Sequence, residues 1–420
     1  MRIAYLDPHP VPDASPEALQ ILQTVDALGE VGVQVDLVTP EPAGETDPGA
    51  ILGRPIHPNV TLTHVPDLRR RWWARAIGLR RSTLPFHRQS RRWLENHAVD
   101  AVLARNLKLA EALLDAAASR PHPPLFFETH ELFAQTFREE HERGGLGVRR
   151  KLAALEAREA RVYKEARGII ALTGLLLDDI RRVYRSETPG IVAPDGVDLR
   201  AARSARRDSQ ANRSAVPVLL FLGSLHRWKG VETAIRAMVK IDGAKLRIVG
   251  GPHDRIAELA ALCRRLGVED KVQLVGPVPP SERFAVIDNA DICLLPLNDT
   301  AIGGRYTSPL KLFEYMAMGK AIVASDLPAL RIILEDRRDA LLVSPGSPDA
   351  LAAAIGELLV DPALRDRIGT HARMLSEASF SWTERSKRIG QFVAQTLGLP
   401  VATNEASPSS LNGSVVFERQ

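Results

Sequence analysis

Short apolar runs alternate with longer stretches of helical periodicity from one end of the chain to the other, and this alternation limits the fold more than any other feature. Residues 3–6, 33–38, 101–104, 125–127 and 168–171 read as strands buried on both faces of a parallel sheet, where apolar side chains run on without in–out alternation. Parallel neighbours need a crossover between them, and the helical patterns at 16–28 and 148–166 supply such crossovers. In the second of these, Val148, Leu152, Leu155 and Val162 recur at near-helical spacing. The same text then repeats, with strands expected at 217–222, 246–249, 272–275, 292–295 and 321–324 and helices at 231–239, 255–266, 310–318 and 349–359. The expected fold is α/β: two Rossmann-like, doubly wound domains facing each other, with ligands in the crevice at the carboxyl ends of their strands.

A chain of 420 residues is long enough for two or three domains. Between the halves, residues 197–216 turn to Arg, Ser, Asp, Ala and Asn without periodicity and read as a linker. The expected partition is a first domain at 1–195, a linker at 196–215, a second domain at 216–380, a helix at 381–397 and a disordered tail at 398–420. Hydrophobic content of 45% and charged content of 25% are those of a soluble globular protein and exclude a fibrous or wholly disordered one. Cys263 and Cys293 are too isolated for a disulfide framework or a metal cluster and read as small core residues. The amino-terminal apolar run ends at Asp7, followed by Pro8 and Pro10, so no secretory core is expected there, and no stretch approaches the ~18 apolar residues of a spanning helix. The expected location is the cytoplasm, with contact to the inner face of a membrane left open.

The segment from Gly303 to Lys320 is the most informative. Ser308 suits a helix N-cap, Pro309 the first helical position and Gly319 the stop. Gly303 and Gly304 allow close approach of a ligand to the backbone, and the helix start favours an anion. Glu314 lies inside an otherwise apolar helix, where its carboxylate can accept both hydroxyls of a ribose diol or pair with Lys311 one turn earlier. A second constellation, Gly223, Ser224, Arg227, Lys229 and Gly230, follows a buried strand and opens a helix. Lys229 there can neutralise a pyrophosphate with Arg227 as helper, or be a solvated loop lysine. His130, just beyond the strand that ends in Glu128, can contact a sugar or stabilise charge near a reacting carbon, or simply anchor its loop. Glu128 and Glu131 are weaker candidates.

These segments, together with residues 192–198, resemble the GT-B glycosyltransferases of family 4, a retaining class using nucleotide-sugar donors; the resemblance runs over most of residues 1–397. It implies that Glu314 binds the nucleotide ribose, Lys229 the diphosphate and that His130 stands near the transferred sugar, the three taken as catalytic. It further implies a donor site at Gly223, Ser224, Arg227, Lys229, Gly304, Arg305, Tyr306, Thr307, Ser308, Pro309, Lys311 and Glu314, and a last helix crossing back to the first domain. Two positions depart from the family: Tyr306 stands where a first acid is usual, and Ser224 where an arginine usually precedes the lysine. Specificity is assigned to the loops at 7–15 and 301–306.

The mechanism implied has Lys229, a neighbouring arginine and the amides before Pro309 stabilising the leaving diphosphate, while the acceptor attacks from the face of departure. No cofactor and no metal are demanded, since side chains and a helix end can supply the neutralisation. The donor is expected to be linked to UDP or GDP, and the acceptor to be a glycan or lipid-linked sugar in surface polysaccharide or glycoconjugate synthesis. Readings kept beside this one are a non-catalytic nucleotide-sugar-binding protein, a sugar-nucleotide epimerase and a phosphorylase of the same fold.

Residues 69–93 carry nine arginines and no acid, with Trp72, Trp73, Phe86 and Trp93 among them; subtracting nine from the net +4 leaves −5 for everything else. Arg69, Arg70, Arg71, Trp72, Trp73, Arg75, Arg80 and Arg81 are expected to form a surface for an anionic membrane or acidic acceptor, or else a solvated basic helix whose tryptophans pack inward. Without a recognition module around it, the patch is not read as binding nucleic acid.

Overall fold

The computed structural model describes residues 1–44, 46–76, 78, 82–118, 121–141, 144–207 and 216–400. The first domain is built on a parallel sheet of strands β1 (Arg2–Leu6), β2 (Gln34–Pro40), β3 (Val60–Val65), β4 (Ala101–Ala104), β5 (Leu125–Thr129), β6 (Gly168–Ala171) and β7 (Gly190–Val192). Its order is β3-β2-β1-β4-β5-β6-β7, doubly wound outward from β1. The second sheet contains β8 (Val218–Leu222), β9 (Lys245–Val249), β10 (Val272–Gly276), β11 (Ile292–Leu295), β12 (Ala321–Ser325) and β13 (Leu341–Val343), in the order β10-β9-β8-β11-β12-β13. β3, β7 and β13 lie at or near the sheet edges and were not legible as apolar runs, because the text that forms them is mixed (VTLTHV in β3) or only three residues long.

Successive residues of β1 serve opposite layers. Ile3 and Tyr5 pack with helix Pro16–Glu30, and Ala4 and Leu6 with the helices on the other face. The first of these layers is completed by the last helix, Trp382–Leu397, whose Ile389, Phe392 and Val393 are buried against Ile3, Phe126 and Ile170. Phe392 meets Phe126 edge-on at 5.7 Å between ring centroids. The returning chain crosses beside the outgoing one: Val197 pairs with Ser381, and a Cβ on Gly196 would lie 2.5 Å from the Trp382 nitrogen.

The expected linker is only partly a loop. Leu199–Arg207 is a helix that belongs to the second domain, with Arg206 Nη2 on Glu377 at 3.1 Å. It was unreadable because its core-facing positions, Leu199, Ala201, Ala202 and Ala205, are one leucine and three small alanines set among arginines, a stripe too weak to stand out. Residues 208–215 and 401–420, including most of the expected tail, lie outside the described residues.

A second tie runs from the second domain into the first. Residues Ala301–Tyr306 form a single wide helical turn, and Ala301 and Tyr306 are buried in the first domain's core. The Ala301 N–H donates to Glu139 Oε2 (3.0 Å), Thr173 Oγ1 donates to the Arg305 carbonyl (2.9 Å), and Arg305 Nε reaches Asp179 Oδ2 (3.0 Å). The Tyr306 hydroxyl stands 3.0 Å from both Gln135 Oε1 and Asp179 Oδ2, donating to one at a time. Burial opposes ionisation of Asp179, but Arg182, Arg305 and Tyr306 outweigh it and hold the carboxyl low. Tyr306→Phe should therefore cost about 1 kcal/mol of stability, the net worth of a buried hydrogen bond, and Tyr306→Glu should cost more, by setting a second carboxylate against Asp179. Denaturant melts check this; a Tyr306→Glu protein as stable as the parent would contradict the tie.

Candidate active site

Between the two sheets lies a cavity of about 1010 Å³, lined from the first domain by residues that include Asp7, His9, Gln20, Arg105, His130 and Glu131, and from the second by Gly223, Ser224, Trp228, Lys229, Thr307, Ser308, Pro309 and Lys311. Both sets come from turns at the carboxyl ends of strands, where a doubly wound sheet leaves its crevice.

The turn after β8 is shaped by close backbone approach. Gly230 has φ +68° and would place a Cβ 1.8 Å from the Pro296 carbonyl oxygen; Gly250 has φ +119° and would place one 2.2 Å from the Gly223 oxygen. Any other residue at either position would push the loop away from the sheet. Lys229 is held there by its backbone N–H on the His226 carbonyl (2.9 Å), with its ammonium 5.0 Å from the Trp228 ring centroid, and that ammonium forms no hydrogen bond or ion pair with any described residue. Burial, followed by the nearby Lys311, pushes it down to about 8, with Glu17 acting weakly the other way. An unpartnered, partly desolvated cation at a strand end is ready to take an anion. Arg227, expected beside it, is a correction: its side chain is 81% exposed and 3.8 Å from Glu258, outside the cleft, because the loop turns it outward while Trp228 and Lys229 face in.

The helix after the glycine segment is Leu310–Ala317. Ser308 is not its N-cap: the helix begins one residue later than expected, and Pro309, extended at φ −76° and ψ 112°, is the capping position itself. The Ser308 hydroxyl instead accepts from the Asp195 N–H at 2.7 Å, joining the two domains. No side chain caps the helix, so its first amides remain open toward the cavity. Gly319, at φ +67°, stops the helix as expected. Glu314 is buried and takes Lys311 Nζ on Oε2 (2.6 Å) and Arg283 Nε on Oε1 (3.0 Å), so the anticipated pairing with Lys311 is present together with a second cation. Each carboxylate oxygen keeps a lone pair for a further donor. Gly304, Arg305 and Tyr306 are corrections, since none lines the cavity: Arg305 and Tyr306 face the first domain and Gly304 lies against Asp299 of its own, which makes 301–306 a tie between domains more than a donor loop.

From the first domain, His130 Nε2 lies 2.8 Å from Glu128 Oε1. Glu128 is buried, and its burial is overcome by Arg385, His130 and Arg105, which hold the carboxyl at about 2. Glu128 does not line the cavity itself. Glu131 lines the cavity and is pushed up by burial. Arg105 donates to Asp7 Oδ2 and Gln20 Oε1, each at 2.8 Å, and Gln20 Nε2 donates to Asp195 Oδ1 at 2.6 Å. This polar floor went unread because its members are scattered singly through the sequence. Arg283 and Arg385 carried a signal, each being an arginine within a helix's buried face. Among the described residues no group of three or more His, Cys, Asp or Glu side chains is placed to hold a metal ion.

In the basic segment, Trp72 is 88% exposed, and Arg70 and Arg71 are exposed beside it. Arg69 is drawn back onto Asp67 at 2.8 Å. Trp93 and Phe86 are core residues, so the inward reading holds for them. The side chains of Trp73 and Arg75, and residues Arg80 and Arg81 entirely, lie outside the described residues.

Residues 18–201 match the family described as Glycosyltransferase Family 4, and residues 216–361 that described as Glycosyl transferases group 1. The chain belongs to the GT-B glycosyltransferases of this family. It is 29% identical over 267 residues to a protein of Xylanimonas cellulosilytica named D-inositol 3-phosphate glycosyltransferase, covering 60% of this chain and 59% of that one. A relative of the same name from Corynebacterium diphtheriae is 27% identical over 242 residues, 54% of this chain and 55% of its own. The chain thus spans somewhat over half the length of these curated relatives. Its fold is similar to that of sucrose-phosphate synthase from Thermosynechococcus elongatus (TM-score 0.73, 21% identity, 94% of this chain and 99% of that one). Anabaena HepE, whose structure holds UDP-glucose, is similar at TM-score 0.67 and 18% identity, covering 95% of this chain and 99% of its own.

The lysine in the GT-B crevice yields a pH prediction. A diphosphate selects the charged form of Lys229, so its affinity should be highest below about pH 8 and weaken as pH rises through that value. The sign for folding is opposite. The unfolded chain, with lysine near 10.4, holds the extra proton between about pH 8 and 10, so this residue's cost to stability is relieved as pH rises through that window. Calorimetric titration with a nucleoside diphosphate at pH 7 and pH 9 tests the binding sign, and Lys229→Arg should flatten the dependence.

Proposed function

We propose that this chain transfers a sugar from a UDP- or GDP-linked donor to a glycan or lipid-linked acceptor, with retention at the anomeric carbon. The observation that carries the reading is the convergence in one cavity of an unpartnered Lys229, the uncapped start of helix Leu310–Ala317 and, from the opposite domain, His130. The diphosphate would lie against Lys229, Lys311 and the open amides, which stabilise the charge that grows as the glycosidic C–O bond breaks. Glu314 would receive the ribose hydroxyls. The acceptor oxygen would bond to the anomeric carbon on the face the diphosphate leaves, its proton passing to the departing phosphate oxygen. His130 and the Arg105–Asp7–Gln20 network would line the sugar and acceptor side. The nucleotide held by HepE and the glycosyltransferase names of the relatives support the donor class. A role in surface polysaccharide or glycoconjugate synthesis fits such an acceptor.

Two variants test the donor site. Lys229→Ala should lower turnover by about 10²–10³-fold, the usual effect of removing one charge-stabilising donor. Glu314→Gln, which leaves Arg283 and Lys311 a polar partner, should mainly raise the donor KM. Unchanged kinetics in either variant would remove that residue from the site, and a thermal-shift screen with UDP- and GDP-sugars identifies the base.

We further propose that Arg70, Arg71 and Trp72 present the first domain to an anionic lipid surface, since an exposed tryptophan flanked by arginines suits a headgroup layer. No helix among the described residues is long and apolar enough to cross a membrane. Cosedimentation with anionic but not neutral liposomes is expected, diminished in Trp72→Ala; equal recovery with both lipids would refute the contact.

A further inference from the structure

Beneath His130 lies a buried ion pair that neither domain makes alone. Arg385, on the helix that returns from the second domain, places Nη2 2.7 Å from Glu128 Oε1, with both side chains 1% exposed. The same Glu128 oxygen lies 2.8 Å from His130 Nε2. Arg385 also donates from Nη1 to Thr24 Oγ1 at 3.1 Å and stands over the Trp382 ring. Its place follows from the helix: Arg385, Ile389, Phe392 and Val393 share the buried stripe, and the arginine is its one charged member. We propose that Arg385 is a positioning residue that acts through Glu128 to fix which ring nitrogen of His130 carries the proton.

An ionised carboxylate can only accept hydrogen bonds. While Glu128 is ionised, the Nε2 of His130 must therefore carry its hydrogen, and in the neutral ring Nδ1 is left bare. That nitrogen makes no hydrogen bond to a described residue and is free to accept from a sugar hydroxyl. Glu128 is wholly buried, and burial alone would drive it to take a proton. Arg385, at 2.7 Å, opposes this by its charge, His130 by its hydrogen bond and charge, and Arg105 by its charge from farther off. The other charged or titratable groups facing the cluster are Tyr5, Asp7, Glu131 and Asp195, none of which can replace a cation. Without Arg385, a protonated Glu128 would donate to Nε2, the ring proton would move to Nδ1, and the nitrogen offered to the substrate would change from acceptor to donor. Because Arg385 arrives with the returning helix, the reactive form of a first-domain histidine is set by a residue that follows the whole second domain in sequence.

This inference rests on the proposed place of His130 beside the transferred sugar, and the measurements separate the two. In ¹⁵N-histidine-labelled full-length protein, with His130 assigned from a His130→Gln sample, the parent should show the Nε2–H tautomer. Arg385→Met should shift His130 toward Nδ1–H and lower kcat about 10- to 100-fold, the usual scale for losing a partner that orients a site ligand, with donor KM changed less than about twofold. Arg385→Lys, which keeps the cation, should restore the parent tautomer and most of kcat. If Arg385→Met does not fold, Glu128→Leu/Arg385→Met removes both buried charges together and leaves neither unpaired; with no acceptor left for Nε2–H, it should fold and lose the single Nε2–H form. The proposal is overturned if either Met-bearing variant keeps that tautomer, or if Arg385→Lys loses as much activity as Arg385→Met. Unchanged kcat in His130→Gln would overturn the role of the histidine itself, whatever its tautomer.

Discussion

The return of the last helix to the first domain is the constraint on which the rest of the molecule depends. Ile3, Phe126 and Ile170 lie on a sheet face that helix Pro16–Glu30 covers only in part, and Phe392, Ile389 and Val393 complete it. Burial of such side chains is worth roughly 1.5–3 kcal/mol each, enough to bind the end of the chain to its beginning. Once that helix is seated, the outgoing and returning segments must cross side by side, and the space allowed at Gly196 shows how closely they do so. The two strand-end faces are thereby brought opposite each other.

A second contact limits how far those faces can part. The turn Ala301–Tyr306 inserts an alanine and a tyrosine into the first domain's core, and its polar groups are met by Glu139, Thr173, Asp179 and Gln135. Tyr306 suits this place, since a buried phenol can donate to Asp179, which an ionised carboxylate cannot. Immediately after it, Thr307 to Lys311 return to the cavity, so one short segment both joins the domains and forms part of the site.

The cavity itself divides its chemistry between the domains. The second supplies cations with few partners, Lys229 above all, where a diphosphate would be neutralised. The first supplies a polar floor, in which Arg105, Asp7, Gln20 and Asp195 are hydrogen-bonded in a chain and His130 is bonded to Glu128. Such hydrogen bonds hold their members in place. A loose cation opposite an ordered floor suits a reaction in which charge develops on a leaving group while the sugar must stay oriented.

The sequence by itself determined the architecture, because strands buried on both faces and helices with one apolar face leave periodicities that survive without any knowledge of contacts. It also pointed to Lys229, Glu314 and His130, since glycines beside a strand end and an acid within an apolar helix are local patterns. What only the tertiary structure decided is where side chains turn once the backbone is placed. Arg227 and Lys229 are two residues apart, yet one is in solvent and the other in the cavity; Ser308 looks like a cap and serves the opposite domain; Arg283 and Arg385 meet their carboxylates 31 and 257 residues away. Pairings at such separations have no local signature, because what selects them is the cost of leaving a buried charge without its partner, and the chain must fold before there is anywhere to bury one.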